Sequence, residues 1–272
     1  MPNDGGALKR LGFECAARTD VGLVRGRNED ALWADTRRGW LLLADGMGGH
    51  CSGDQASALA ISHVLGRLRD SEKRGVNAAC AELLADSMIE ANTAIRDAAR
   101  QSSCADVMGT TFVGAVLEPD EMVYAYVGDS RLYLLRDKML TQLSRDHTVV
   151  QEFVDSGQIT ARMAQNHPYR GLLTRGLGVQ DDVEPVTGTH LLRPGDRLLL
   201  CTDGLTDMVD EDEIALLLGM SAGADVIAKS LVEAAKAAGG CDNVSVIVAW
   251  FVPRTHYYDD RCATDAHHKM DG

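Results

Sequence analysis

Short apolar runs recur along the chain at 40–44, 112–117, 123–127, 132–136, 197–201 and 244–252. Each has the length of a strand, and most are apolar at consecutive positions, so neither face is reserved for water. Strands of that kind predict a sheet covered on both sides. Two longer stretches carry a helical period instead. In 56–68, Ala56, Ile61, Val64, Leu65 and Leu68 fall on one broad face. In 76–100, Leu84, Met88, Ala91, Ile95 and Ala98 form a stripe at helical spacing. Further helices are expected over 212–218 and over 224–238, the second ended by Gly239-Gly240. Strands therefore come in runs and do not alternate singly with helices. That order predicts sheets packed on each other with helices outside, an α+β arrangement, rather than a doubly wound parallel sheet.

The flanks lack this patterning. Residues 1–12 read as a loose leader and 253–272 as a polar tail, leaving a single domain over about 13–252 with no linker or internal repeat. The 272 residues are 45% apolar and 25% charged, which excludes disorder as the main state. No apolar run approaches the roughly 18 residues of a membrane span, and the N-terminus has no apolar signal core, so a membrane partner is not expected. Lys and Arg total 27 against 40 Asp and Glu, a formal charge of −13, which argues against nucleic-acid binding. The seven cysteines are odd in number and include no Cys-x-x-Cys pair. A disulfide framework and a zinc ribbon are thus unsupported, and free thiols point to the cytoplasm.

The acidic surplus has a position as well as a size. Asp45-Gly46 follows the run LLLA, Gly128-Asp129 follows YAYV, and Asp203-Gly204 comes one residue after RLLLC. Asp242-Asn243 stands immediately before VSVIVAWF, and Glu29-Asp30 lies upstream, after Arg25. Singly, such dipeptides are ordinary turns. Several at the ends of separate buried runs would repel one another if they met, unless a hard cation lay among them. The glycine-rich stretch 46–50 lacks the spacing of a phosphate loop, and 203–213 lacks the frame of an EF-hand.

At these residues the chain resembles the metal-dependent protein phosphatases of the protein phosphatase 2C family, in their bacterial form. The resemblance rests on TDVGLVRGRNED (19–30), LLLADGMGGHCSGDQAS (41–57), MGTTFVGAVL (108–117), YVGDSRLYLLRD (126–137), LLLCTDGLTD (198–207) and GGCDNVSVIV (239–248), in that order. It implies a four-layer α-β-β-α sandwich of two antiparallel sheets. It also implies hydrolysis of phosphoserine and phosphothreonine by direct attack of a hydroxide bridging two Mn2+ or Mg2+ ions, with a weaker third ion in bacterial members. On this resemblance Asp45 bridges the two metals and the Gly46 carbonyl binds the second. Asp203 and Asp242 bind the first, and Asp129 with Asp203 holds the third. Glu29 and Asp30 act mostly through metal-bound water, and Arg25 grips the substrate phosphate. Asn243 shapes a turn and is given no catalytic role. The segment 147–178 resembles the family's flap, within which Arg170 and Arg175 are open as substrate contacts.

One position departs from many eukaryotic members: the residue after the first Asp-Gly is Met47 rather than histidine. The identity of the general acid is therefore open, and nearby His50 is read as an ordinary loop or core histidine. By residue type alone, Arg25 would be a solvated surface arginine or the partner of Glu29. The partners implied are phosphoprotein substrates and a cognate Ser/Thr kinase, with the protein a monomer. Two other readings stand beside this one: a catalytically inactive member acting as a regulatory binding module, and a hydrolase of a non-protein phosphate or of one dedicated partner.

Overall fold

The computed structural model describes residues 12–48, 52–75, 81–101, 108–118 and 120–251. The leader, the tail, His50 and the start of the helix expected at 76 lie outside these residues. Among the described residues, eleven strands and seven helices follow in the order β1 (Phe13–Asp20), β2 (Asp30–Asp35), β3 (Trp40–Met47), α1 (Gly53–Lys73), α2 (Ala81–Gln101), β4 (Gly109–Thr110), β5 (Phe112–Leu117), β6 (Glu121–Val127), β7 (Arg131–Arg136), β8 (Met139–Gln142), α3 (Val149–Asp155), α4 (Ala161–Ala164), β9 (Val186–Leu191), β10 (Arg197–Cys201), α5 (Asp203–Thr206), α6 (Glu211–Leu218), α7 (Ala224–Ala237) and β11 (Val244–Phe251).

Two antiparallel sheets result. One has the order β1-β11-β10-β7-β8; the other runs β2-β3-β5-β6-β9, with β4 paired to β3. The all-apolar strands are explained by layering. In β3, Leu41 and Leu43 face the space between the sheets, packed with Leu198, Leu200 and Ile247. Their neighbours Trp40, Leu42 and Ala44 face α1 and α2 through Val64, Leu68, Met88 and Ile95. In β11, Val244, Val246 and Val248 face α7 through Ile227 and Leu231, while Ile247 and Ala249 face inward. Each sheet is thus covered twice, by its partner sheet and by helices, and the four layers expected from the resemblance are present.

The expected strands all form over Trp40–Met47, Phe112–Leu117, Glu121–Val127, Arg131–Arg136, Arg197–Cys201 and Val244–Phe251; residue 252 lies outside the described residues. Strands β1, β2, β8 and β9 add to the expectation. All four lie at sheet edges, and in β9 the burial alternates residue by residue. Mixed polarity of this kind carries no continuous apolar run, so a search for buried strands passes over it. Within 147–178 only α3 and the single-turn α4 are helical. The remainder is held by isolated bridges, Thr148 to Leu173 and Thr110 to Leu177.

Candidate active site

Antiparallel pairing delivers the carboxylates to one place. Asp45, near the end of β3, stands directly opposite Asp30, the first residue of β2. Its backbone is pinned from β4 and β5: Asp45 N–H donates to Thr111 Oγ1 at 3.0 Å, and Asp45 O accepts from Thr111 N–H at 2.8 Å and Thr110 Oγ1 at 2.7 Å. Thr111 in turn shares a 2.7 Å bond with Ser130, beside Asp129 in the turn between β6 and β7. On the facing sheet, Asp203 opens α5 after β10, and Asp242 precedes β11. Strands β10 and β11 are hydrogen-bonded neighbours, so residues distant in sequence meet at one end of the sandwich.

These groups line a cleft of about 410 Å³. Arg25, Glu29, Asp45, Gly46, Asp129, Asp203 and Asp242 all border it. Asp30 does not. It lies behind Asp45, where its Oδ2 accepts from Ser245 Oγ at 2.6 Å and Thr202 Oγ1 at 3.2 Å. Its Oδ1 is buried with no protein partner.

Like charge dominates the electrostatics. Burial, then the carboxylates of Asp30, Asp203, Asp129 and Asp242, push Asp45 well above the usual carboxylate range. Asp129 is pushed well up by burial and by Asp203. Asp203 rises to about 6 through burial, Asp207 and Asp242, restrained by a hydrogen bond with Asp45. Asp30 rises to about 7 through burial, countered by Ser245 and reinforced by Asp203. Arg25 is the cation that touches this cluster, with Nη2 donating to Asp242 Oδ2 at 2.7 Å. Its partner is therefore Asp242, not Glu29 as residue spacing alone suggested.

A divalent ion fits this donor set. The groups are hard oxygens, they raise one another's proton affinity, and one carboxylate oxygen is orphaned. Among the described residues no three His, Cys, Asp or Glu side chains are arranged closely enough to hold an ion by themselves. Ions such as Mg2+ and Mn2+ keep several waters and use few carboxylates, so the donors need not close around one by themselves. A backbone carbonyl beside Asp45 is also available. A Cβ on Gly46 would lie 2.1 Å from Gly53 O, so only glycine lets the start of α1 close over this end of β3.

The family model for protein phosphatase 2C matches residues 25–235. The chain belongs to the protein phosphatase 2C family. It is 43% identical over 237 residues to the serine/threonine protein phosphatase PstP of Mycobacterium tuberculosis, which covers 86% of this chain. It spans only 44% of the length of that relative. The serine/threonine phosphatase Stp of Listeria monocytogenes is 37% identical, with 85% of this chain and 93% of Stp aligned. Among solved structures, the M. tuberculosis phosphatase PstP superposes with a TM-score of 0.82 at 40% identity, covering 89% of this chain and all of that one. The PstP catalytic domain with two manganese ions gives 0.78 at 38% identity, over 89% and 99% of the two chains.

Two cleft residues, Thr111 and Asn243, carried no clear sequence signal. Thr111 lies inside a run that looks simply buried. Arg175 lines the cleft, while Arg170 is held away by a 2.9 Å ion pair with Asp207. Asn243 looked like a turn residue, and its side chain proves to hold the Arg25 loop. No helix among the described residues is long and apolar enough to cross a membrane.

Proposed function

We propose that this protein is a Mn2+- or Mg2+-dependent phosphatase that hydrolyses phosphoserine and phosphothreonine in proteins, opposing a Ser/Thr kinase. The observation that carries the reading is the meeting of Asp45, Asp129, Asp203 and Asp242, from four separate strand ends, around one cleft bordered by Arg25. On the family resemblance Asp45, the Gly46 carbonyl, Asp203 and Asp242 would hold the catalytic ions. Asp129 with Asp203 would hold a further ion, and Glu29 and Asp30 would order water around them. The manganese bound by PstP supports the choice of ion.

Phosphomonoester hydrolysis requires a barrier reduction on the order of 20 kcal/mol. Divalent ions held in the cleft would supply Lewis acidity, making water more acidic and offsetting the charge of the phosphate dianion. The chain's own residues supply position. Arg25, whose side chain is 56% exposed, turns its planar fork from Asp242 to two phosphate oxygens. Arg175 adds a second positive charge on the flap side. Asp30, held by Ser245 and Thr202, leaves Oδ1 to accept a hydrogen bond from a water beside Asp45. We take a water molecule as the proton donor to the leaving serine or threonine oxygen.

Retention of Asp45, Asp203 and Asp242 argues against the inactive binding module. Cys15 and Cys201 are free thiols, which fits a cytoplasmic protein, and we take the working unit as the monomer. Asp45→Asn and Asp242→Asn are each expected to lower kcat/KM for a phosphothreonine peptide in Mn2+ by about 10³-fold. Chelation should stop the wild-type enzyme and Mn2+ should restore it. Near-normal turnover by both variants would remove the mechanism.

A further inference from the structure

The loop 21–29 between β1 and β2 carries Arg25 and Glu29 and has no regular structure of its own. Its hold on the molecule comes from the turn before β11. Asn243 is 6% exposed, and its side-chain amide is fully used on this loop. Oδ1 accepts from Glu29 N–H at 2.8 Å, while Nδ2 donates to Val21 O at 3.0 Å and to Arg27 O at 2.8 Å. Leu23 N–H donates to Gly240 O at 2.7 Å. Gly22, at φ +77°, comes so close that a Cβ there would lie 2.2 Å from Asp242 O. The loop is therefore seated on residues 240–243, with anchors on both sides of Arg25.

We propose that Asn243 is a positioning residue for catalysis, acting through Arg25. Its side chain fastens the arginine loop to the same turn that presents Asp242, so the group gripping phosphate and a metal-binding carboxylate move as one piece. This rests on the reading of Arg25 as the phosphate partner. The residue type follows from the bonds. One acceptor and two donors are needed at a single buried side chain. Asparagine offers all three, whereas aspartate keeps the acceptor and loses the donors. Asp242 itself is secured differently, by a 2.8 Å bond from the backbone N–H of residue 243 to Asp242 Oδ1. Changing the side chain leaves that bond available, so the effect should fall on Arg25 and not on the metal ligand.

The test is a double-mutant cycle in kinetics, with Mn2+ affinity measured by calorimetry. Asn243→Ala should raise KM for a phosphothreonine peptide by about tenfold while changing Mn2+ affinity by less than about twofold, and should add little to the loss already caused by Arg25→Ala. Asn243→Asp, nearly the same shape and still able to accept from Glu29 N–H, turns a carboxylate oxygen on Val21 O and Arg27 O and should raise KM at least as much, while Asn243→Ser carries the test if the alanine variant does not fold. Unchanged KM in a folded Asn243 variant, or losses that multiply fully with Arg25→Ala, would overturn the tether. A weakened Mn2+ site with unaltered KM would do the same. An Arg25→Ala enzyme with normal KM would instead sink the phosphate-binding reading of Arg25, and the tether would fall with it.

Discussion

His147 stacks on Tyr126 with ring centroids 5.4 Å apart, and its Nδ1 accepts from Gly128 N–H at 3.1 Å, one residue before Asp129. Burial, then the positive charge of Arg175, pushes its pKa down to about 4, against weaker opposition from Asp146 and Glu152. The ring is therefore neutral near pH 7 and able to accept that bond. The unfolded chain takes up the proton first, near the ordinary value of about 6.5. Stability from this residue is complete above that pH and is lost as the pH falls toward 4. In metal-free protein, His147→Gln, whose side-chain oxygen can accept from Gly128, should show a smaller fall in Tm between pH 6.5 and 4 than wild type. Parallel Tm profiles would exclude the role. Asp45, Asp129, Asp203 and Asp242 were legible one by one in the sequence because each follows or precedes a buried run, while Glu29 and Asp30 stood out only through the family resemblance. The roles of Thr111 and Asn243 were not legible, because their importance lies in contacts with residues far away in the chain.

Between elements, close approach is the controlling quantity. Asp203 reaches the cleft because α5 begins immediately after β10, against the turn into β11. The fit there is tight: a Cβ on Gly204 would stand 1.9 Å from Asn243 O. Gly204→Ala must push α5 and that turn apart, separating Asp203 from Asp242. A loss of about 1–3 kcal/mol in urea unfolding is expected, together with reduced phosphatase activity. An alanine variant of full stability and activity would show that the approach is not needed. The strands and helices themselves were mostly visible from their periods. Helix α6 was expected from 212 and begins at Glu211, capped by Asp210, whose side chain accepts from Glu213 N–H at 2.8 Å. Strands β1, β2, β8 and β9 escaped notice because these edge strands mix polar and apolar positions and carry a weaker signal.

For the molecule as a whole, the net charge of −13 and a cleft of mutually repelling carboxylates make cation binding a part of folding. An ion that binds only the folded state stabilises it by mass action, by about 2.7 kcal/mol at a hundred times its Kd. Mn2+ should therefore raise the Tm of the wild-type protein in thermal unfolding, chelator should reverse the rise, and Asp45→Asn should lose most of it. Equal shifts in wild type and Asp45→Asn would place the ion elsewhere.

The chain's own pattern determined the layering, since runs apolar on both faces require cover on both sides and the helical stripes supply it. It also determined the chemistry on offer, because aspartates at the ends of such runs are left where buried backbone stops. Only the tertiary structure decided which of these groups share a site. Opposing Asp30 to Asp45, bringing Asp203 beside Asp242 and turning Arg25 onto Asp242 all depend on strand register and on how the two sheets face each other. Those relations arise from long-range packing, and no local spacing encodes them.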